Sequence, residues 1–130
     1  MTDRRNWHIP LQLVSVATVS VIAGFWLRFD APVSPYVRDA AGGITYVLVF
    51  ILAFAAVIPK ASSHAIAVYV LVVTCALEFL QLWHPIWLEA CRRTLVGRLL
   101  LGTTFDWTDF PSYLIGAALG WSLLRALRKS

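Results

Sequence analysis

Charge is what this chain has least of. Only 14% of its 130 residues are Asp, Glu, Lys or Arg, where a soluble domain carries about a quarter. With 59% hydrophobic residues and a mean hydropathy of +0.73, the composition leaves the ordinary soluble class and fits an integral membrane protein. The length suits one compact unit. Cysteine is scarce too: Cys75 lies in an apolar run, as a small hydrophobe would, and Cys91 stands beside Arg92 and Arg93. Neither has metal-ligand spacing, and two unpaired cysteines without a role are expected. Histidine is almost as rare. His8 and His64 sit at the ends of apolar segments, and no histidine lies inside one to ligate a haem or chlorophyll. No HExxH or paired-histidine spacing joins His84 to Glu89, Asp106 or Asp109, so neither a metal nor another cofactor is expected. The formal charge is +4, but the basic residues lie at the chain ends and in short loops. Without a basic stripe bearing interleaved aromatics, nucleic acid is excluded as a partner.

What fills the chain instead is four apolar segments, each near the length of about 20 residues that crosses the hydrocarbon core as a helix. They run from about Ile9 to Leu27, Ala40 to Ile58, Ser63 to Trp83 and Phe110 to Leu127. Pro10 and Pro111 fall in first turns, where a missing N–H does no harm, and Pro59-Lys60 stops the second segment. The first segment follows Arg4 and Arg5 but is too long for a signal-peptide core, so it reads as a retained span. Helices are the only sensible spanning form here, because lipid offers no partners to open backbone groups. The expected fold is an all-α, four-helix membrane bundle.

The loops orient it. An even number of spans puts both termini on one side, with Arg4, Arg5, Lys60, Arg125, Arg128 and Lys129. Arg28, Arg38, Arg92, Arg93 and Arg98 fall on the other, where Asp30, Asp39, Glu89, Asp106 and Asp109 cancel them; the terminal side carries only Asp3. By the positive-inside tendency both termini are expected in the cytoplasm. Trp7, Trp26, Trp83, Trp87, Trp107 and Trp121 lie near span ends or in the interfacial loop, where their amphipathic rings anchor. Between the third and fourth spans, Pro85 to Phe105 alternates apolar residues with Glu89, Arg92, Arg93 and Arg98. It reads as an amphipathic helix in the interface, or a re-entrant segment, punctuated by Gly97 and Gly102. In the fourth span, Ser112, Gly116 and Gly120 recur every four residues, a small-residue face for close helix approach, within the chain or between two copies.

One carboxylate breaks the apolar pattern. Glu78 lies about a turn inside the third span, where it must be protonated, paired or wetted. Gln81 shares its helix face. Two readings follow. In one, Glu78 pairs with an arginine (Arg92, Arg93 or Arg98) to fix the interfacial segment on the bundle, while Asp106, Thr108 or Asp109 caps the fourth helix. In the other, Glu78, Gln81, Arg92, Arg93, Asp106 and Asp109 form an outward-facing pocket whose arginines grip a lipid or lipid-linked anionic group. Catalysis, with Glu78 as general acid or base, is the weaker form of that reading, since no nucleophile–base pair accompanies it.

The runs Glu78-Phe79-Leu80-Gln81, Pro85-Ile86-Trp87-Leu88, Arg92-Arg93-Thr94, Leu101-Gly102, Phe105-Asp106-Trp107-Thr108-Asp109 and Tyr113-Leu114-Ile115-Gly116 resemble a family of small bacterial inner-membrane proteins catalogued as domain of unknown function 2809. Upstream, Arg28 and Asp39 are similar to the family's arginine after span one and acidic residue before span two. The family often has Gly-Asp there, and here Arg38 precedes Asp39. The order of Glu, Gln, Arg and Asp is also distantly similar to the VanZ-like family, linked to glycopeptide (teicoplanin) resistance. The resemblance implies four spans in a bacterial inner membrane and a grouped polar cluster, and it brings no activity with it. The expected partners are membrane lipids. Alternatives are a small accessory subunit of a larger membrane assembly and a VanZ-like envelope or resistance protein.

Overall fold

A computed structural model describes residues 8–102 and 104–129, with side chains from residue 11 onward except at 103. Asp3, Arg4, Arg5 and Trp7, and the side chains of His8 and Pro10, which entered the reading of the first span and of the orientation, lie outside the described residues. Six helices run in order: α1 (His8–Phe29), α2 (Pro35–Val57), α3 (Ser63–Leu80), α4 (Ile86–Arg92), α5 (Leu95–Leu101) and α6 (Asp109–Lys129). The described residues contain no strand, so the chain is all-α. Three helices among them are long and apolar enough to cross a membrane: Leu11–Phe29 within α1, Pro35–Val57 and Ser63–Leu80. The segment expected as a fourth span coincides with α6, which has length enough at 21 residues but carries Asp109 in its first turn and Arg128 and Lys129 in its last.

Helix ends differ from the sequence reading for local reasons. α2 begins five residues earlier than expected, because Ser34 caps it, accepting the Val37 N–H at 3.4 Å, and Pro35 occupies the first turn. Arg38 and Asp39 therefore ride on the helix and do not precede it. α3 starts under a Ser62 cap, whose hydroxyl accepts the Ala65 N–H at 3.1 Å, and closes at Leu80 rather than Trp83. The expected single interfacial helix is two short ones. Thr94 breaks it, with its hydroxyl capping α5 at the Gly97 N–H, 3.0 Å away. Gly97 permits the tight joint, since a Cβ there would lie 1.7 Å from the Cys91 carbonyl oxygen. Gly102, at φ +69°, ends α5 in a conformation few other residues adopt.

α2 is the central helix, packed against α1, α3 and α6. Val47, Ile51, Leu52 and Ala55 of α2 meet Leu13, Ile66, Val70, Ala117 and Leu124 in one apolar core. The small-residue face of α6 lies on α2 within the same chain: a Cβ at Gly116 would come within 2.8 Å of the Ile44 carbonyl oxygen, and one at Gly120 within 2.7 Å of Ile51 Cδ1. Outer faces stay greasy, with Leu11, Val19, Ile22 and Phe25 of α1 exposed. That inversion suits a lipid surround, in which apolar side chains lose nothing by facing outward. At the end where α6 finishes, Arg128 donates to the carbonyls of Ala61 at 2.6 Å and Pro59 at 3.4 Å, tying the α2–α3 turn to α6.

The two kinds of glycine predict opposite responses. A Cβ at Gly42 meets nothing within 4 Å, so Gly42→Ala should hold or raise stability by up to about 1 kcal/mol through helix propensity. Gly116→Ala, which drives a methyl into the α2 backbone, should lower it by about 1–3 kcal/mol. Unfolding of both variants in detergent micelles checks the contrast.

Candidate functional site

The last turns of α1 and α3 and the first turns of α2 and α6 meet at one end of the bundle, with α5 beside them. Chain alternation produces this: up-running helices finish where down-running ones begin, so Arg28, Asp39, Glu78 and Asp109 come to one end. They border a cavity of about 460 Å³, also lined by Gln81, Asp106, Tyr46, Tyr113 and Gly42. Three further clefts among the described residues are lined mainly by apolar side chains.

Glu78 is the pivot of this end. It is 1% exposed. Its Oε1 accepts the Asp106 backbone N–H at 2.8 Å, and its Oε2 accepts the Tyr113 hydroxyl at 2.8 Å and the Gln81 amide at 3.4 Å. The expected arginine partner is absent: among the described residues the ion pairs are Arg28–Asp39, His84–Glu89 and Arg92–Glu89. Three neutral donors hold the carboxylate instead.

Arg92 does different work. Only 4% exposed, it forks to the Leu80 carbonyl at 2.8 Å and the Trp83 carbonyl at 2.9 Å, and reaches Glu89 at 2.5 Å. The guanidinium thus caps the end of α3, adding a second donor to the Leu80 carbonyl, which also accepts the Trp83 N–H at 3.0 Å, and supplying one to the Trp83 carbonyl. Arg93, the other arginine expected in the pocket, is exposed, and its side chain makes no hydrogen bond or ion pair among the described residues. Neither arginine lines the cavity. The six sequence candidates thus divide: Glu78, Gln81, Asp106 and Asp109 come together, while Arg92 and Arg93 lie apart from them.

The acidic groups at the rim differ in character. Asp106 accepts the Thr108 N–H at 2.9 Å, and hydrogen bonds from Thr108 hold its carboxyl below the usual range. Asp109, just ahead of the apolar stretch of α6, is pushed up to about 6, first by burial and then by the negative charges of Glu78 and Asp106. On α4, Glu89 is held low by hydrogen bonds from His84 and then Arg92. Among the described residues no group of three His, Cys, Asp or Glu side chains is placed to hold a metal ion.

Tyr113 is the participant that residue-by-residue reading misses. It follows Asp109 by four positions, one turn along the same helix face, and that spacing is the signal that joins it to the acidic cluster. Tyr46, whose hydroxyl donates to the Leu100 carbonyl at 3.0 Å, carries no sequence signal beyond its place in an apolar helix. Beside the cavity, Phe79, Phe105, Trp107 and Phe110 pack ring on ring, with Phe105 and Trp107 edge-on at 4.9 Å. They fix the short loop that presents the Asp106 N–H.

Comparison with known proteins gives the chain its relatives. The model of the family described as "Protein of unknown function (DUF2809)" matches residues 33–117, and the chain belongs to that family. The matched span contains all the site residues named above except Arg28. No solved structure matches the chain.

Two outcomes follow from this geometry. Arg92→Ala should lower stability by about 3 kcal/mol, since hydrogen bonds to a charged group contribute about 1.5–3 kcal/mol each. Arg92→Lys should recover less than half of that, because an ammonium cannot fork to two carbonyls; thermal unfolding in micelles measures both. Asp109 gives the pH dependence. Its folded value of about 6 lies above the ordinary 3.8, so between those values the folded state binds a proton that the unfolded state does not. Stability contributed by this group is therefore present at low pH and lost as pH rises through about 6. Asp109→Asn should flatten the stability profile across that window.

Proposed function

We propose that this DUF2809 family member is a multi-pass membrane protein of four spans whose cavity receives the polar head of a membrane-borne ligand. α6 as the fourth span is supported by its placement: it buries Ser112, Gly116, Ala117 and Leu124 against its neighbours and turns Leu114, Ile115 and Leu119 outward. Its charges are confined to its ends, where Asp109 and Arg125, Arg128 and Lys129 reach an interface. Both chain ends then lie on one side. The uncompensated lysines and arginines of that side favour the cytoplasm, so the cavity opens on the outer face of a bacterial inner membrane.

The observation that carries the ligand reading is the cavity itself: about 460 Å³, with buried Glu78 and Gln81 in its wall. Concave sites with a few convergent polar groups are where small ligands and head groups bind. The exposed Arg93 and Arg98, on the α4–α5 segment beside it, suit lipid phosphates at the same depth.

Gly42 supplies the test. It lines the cavity and has open space where a side chain would start, so Gly42→Phe fills the site from a rigid helix. Native mass spectrometry of protein extracted with a mild detergent should show a lipid-sized adduct on the wild type and its loss from Gly42→Phe at unchanged melting temperature. Equal adducts on both proteins would remove the cavity from consideration as the binding site.

A further inference from the structure

We infer that the cavity selects an organic ammonium group. This rests on the ligand-pocket reading above and names the chemistry that the pocket takes.

Charge comes first. Asp39, Glu78, Asp106 and Asp109 line the space, and Arg28 is the one basic residue among the lining side chains. Arg28 is bonded to Asp39, so the remaining carboxylates face the cavity without a basic side chain of their own. A buried carboxylate with no counter-charge is costly, and a cation entering beside Glu78 offsets that cost. An anionic head group would add to it, and the two arginines that would have welcomed one, Arg92 and Arg93, lie outside the cavity.

An independent observation concerns Gln81. The side chain is 8% exposed. Its Nε2 donates to the Leu101 carbonyl at 3.1 Å and to Glu78, which fixes the amide orientation. Its Oε1 is left buried without a hydrogen-bond partner among the described residues. A buried acceptor left unpaired costs about 1–3 kcal/mol, and the partner it lacks is a donor. Gln81 Oε1 thus asks for an N–H or O–H group, beside carboxylates that lack a positive charge. A primary ammonium supplies three N–H donors together with the positive charge. The cavity's aromatic walls, Tyr46 and Tyr113, are of the kind that attract cations to their ring faces. A metal ion fits less well, because among the described residues no three His, Cys, Asp or Glu side chains converge.

The ammonium can be carried by a lipid head group or by a free amine, and the experiment separates these. Delipidated protein in micelles is titrated with phosphatidylethanolamine, with phosphatidylglycerol and, separately, with the diamine putrescine, and followed by native mass spectrometry and thermal shift. The expected result is retention of phosphatidylethanolamine or putrescine at least about tenfold over phosphatidylglycerol, tenfold being about 1.4 kcal/mol. Preference for the lipid identifies a membrane source, and preference for putrescine a soluble one. Glu78→Gln should reduce the selectivity to near unity. Asp109→Asn, at the rim beside Glu78, leaves the Glu78 bonds to Tyr113 and the Asp106 N–H in place; it is the second variant should Glu78→Gln not fold, and it should cut the preference several-fold. Phosphatidylglycerol bound as well as or better than phosphatidylethanolamine, and lost in Gly42→Phe, would overturn the ammonium inference and leave the pocket standing. Binding of every probe unaffected by Gly42→Phe, or binding of none, would overturn both.

Discussion

Three neutral donors on one buried carboxylate hold this end of the molecule together. Glu78 takes a backbone N–H from the loop before α6, a phenol from α6 and an amide from its own helix. Those bonds join α3 to α6 and to the loop that closes the cavity. Such an arrangement gives a buried carboxyl group hydrogen-bond partners in a setting where water is scarce. It also leaves the net charge of the group uncancelled. A salt bridge would have fixed the same helices and neutralised the site. The choice of neutral donors is what keeps the pocket acidic.

The rest of the polar end follows from that division. Arg28 and Asp39 neutralise one another between α1 and α2, and Arg92 and Glu89 do so on α4. Around the cavity one such pair, Arg28–Asp39, stands beside Glu78, Asp106 and Asp109, which have no basic partner. Pairing at the rim also keeps the cost of charge near lipid low.

Much of this was legible in the residues, and the exceptions are physical. Glu78 stands out because a carboxylate in an apolar helix is expensive, and its helix partner Gln81 follows from the three-residue spacing. Asp106 and Asp109 announce themselves by sitting before an apolar run. Arg92 misleads, since a nearby arginine is the obvious partner for a buried acid; nothing local says that the carbonyls of Leu80 and Trp83 compete for it. The break between α4 and α5 is similarly hidden. A mid-segment Thr and Gly read as punctuation, but the close approach of Gly97 to Cys91 exists only once the chain has turned. Tyr46 and Tyr113 look like lipid-facing or core aromatics until the helices are assembled around the acid.

The capping of α3 by Arg92 also bears on how the protein is made. The carbonyl of Leu80 receives a second donor from a residue twelve positions later in the chain, and that of Trp83 one from nine positions later. During synthesis, the Leu80 carbonyl already holds the Trp83 N–H, while the Trp83 carbonyl is left to water until α4 has emerged and folded back. The end of α3 is in this way completed by a later part of the chain, one that lies outside the cavity.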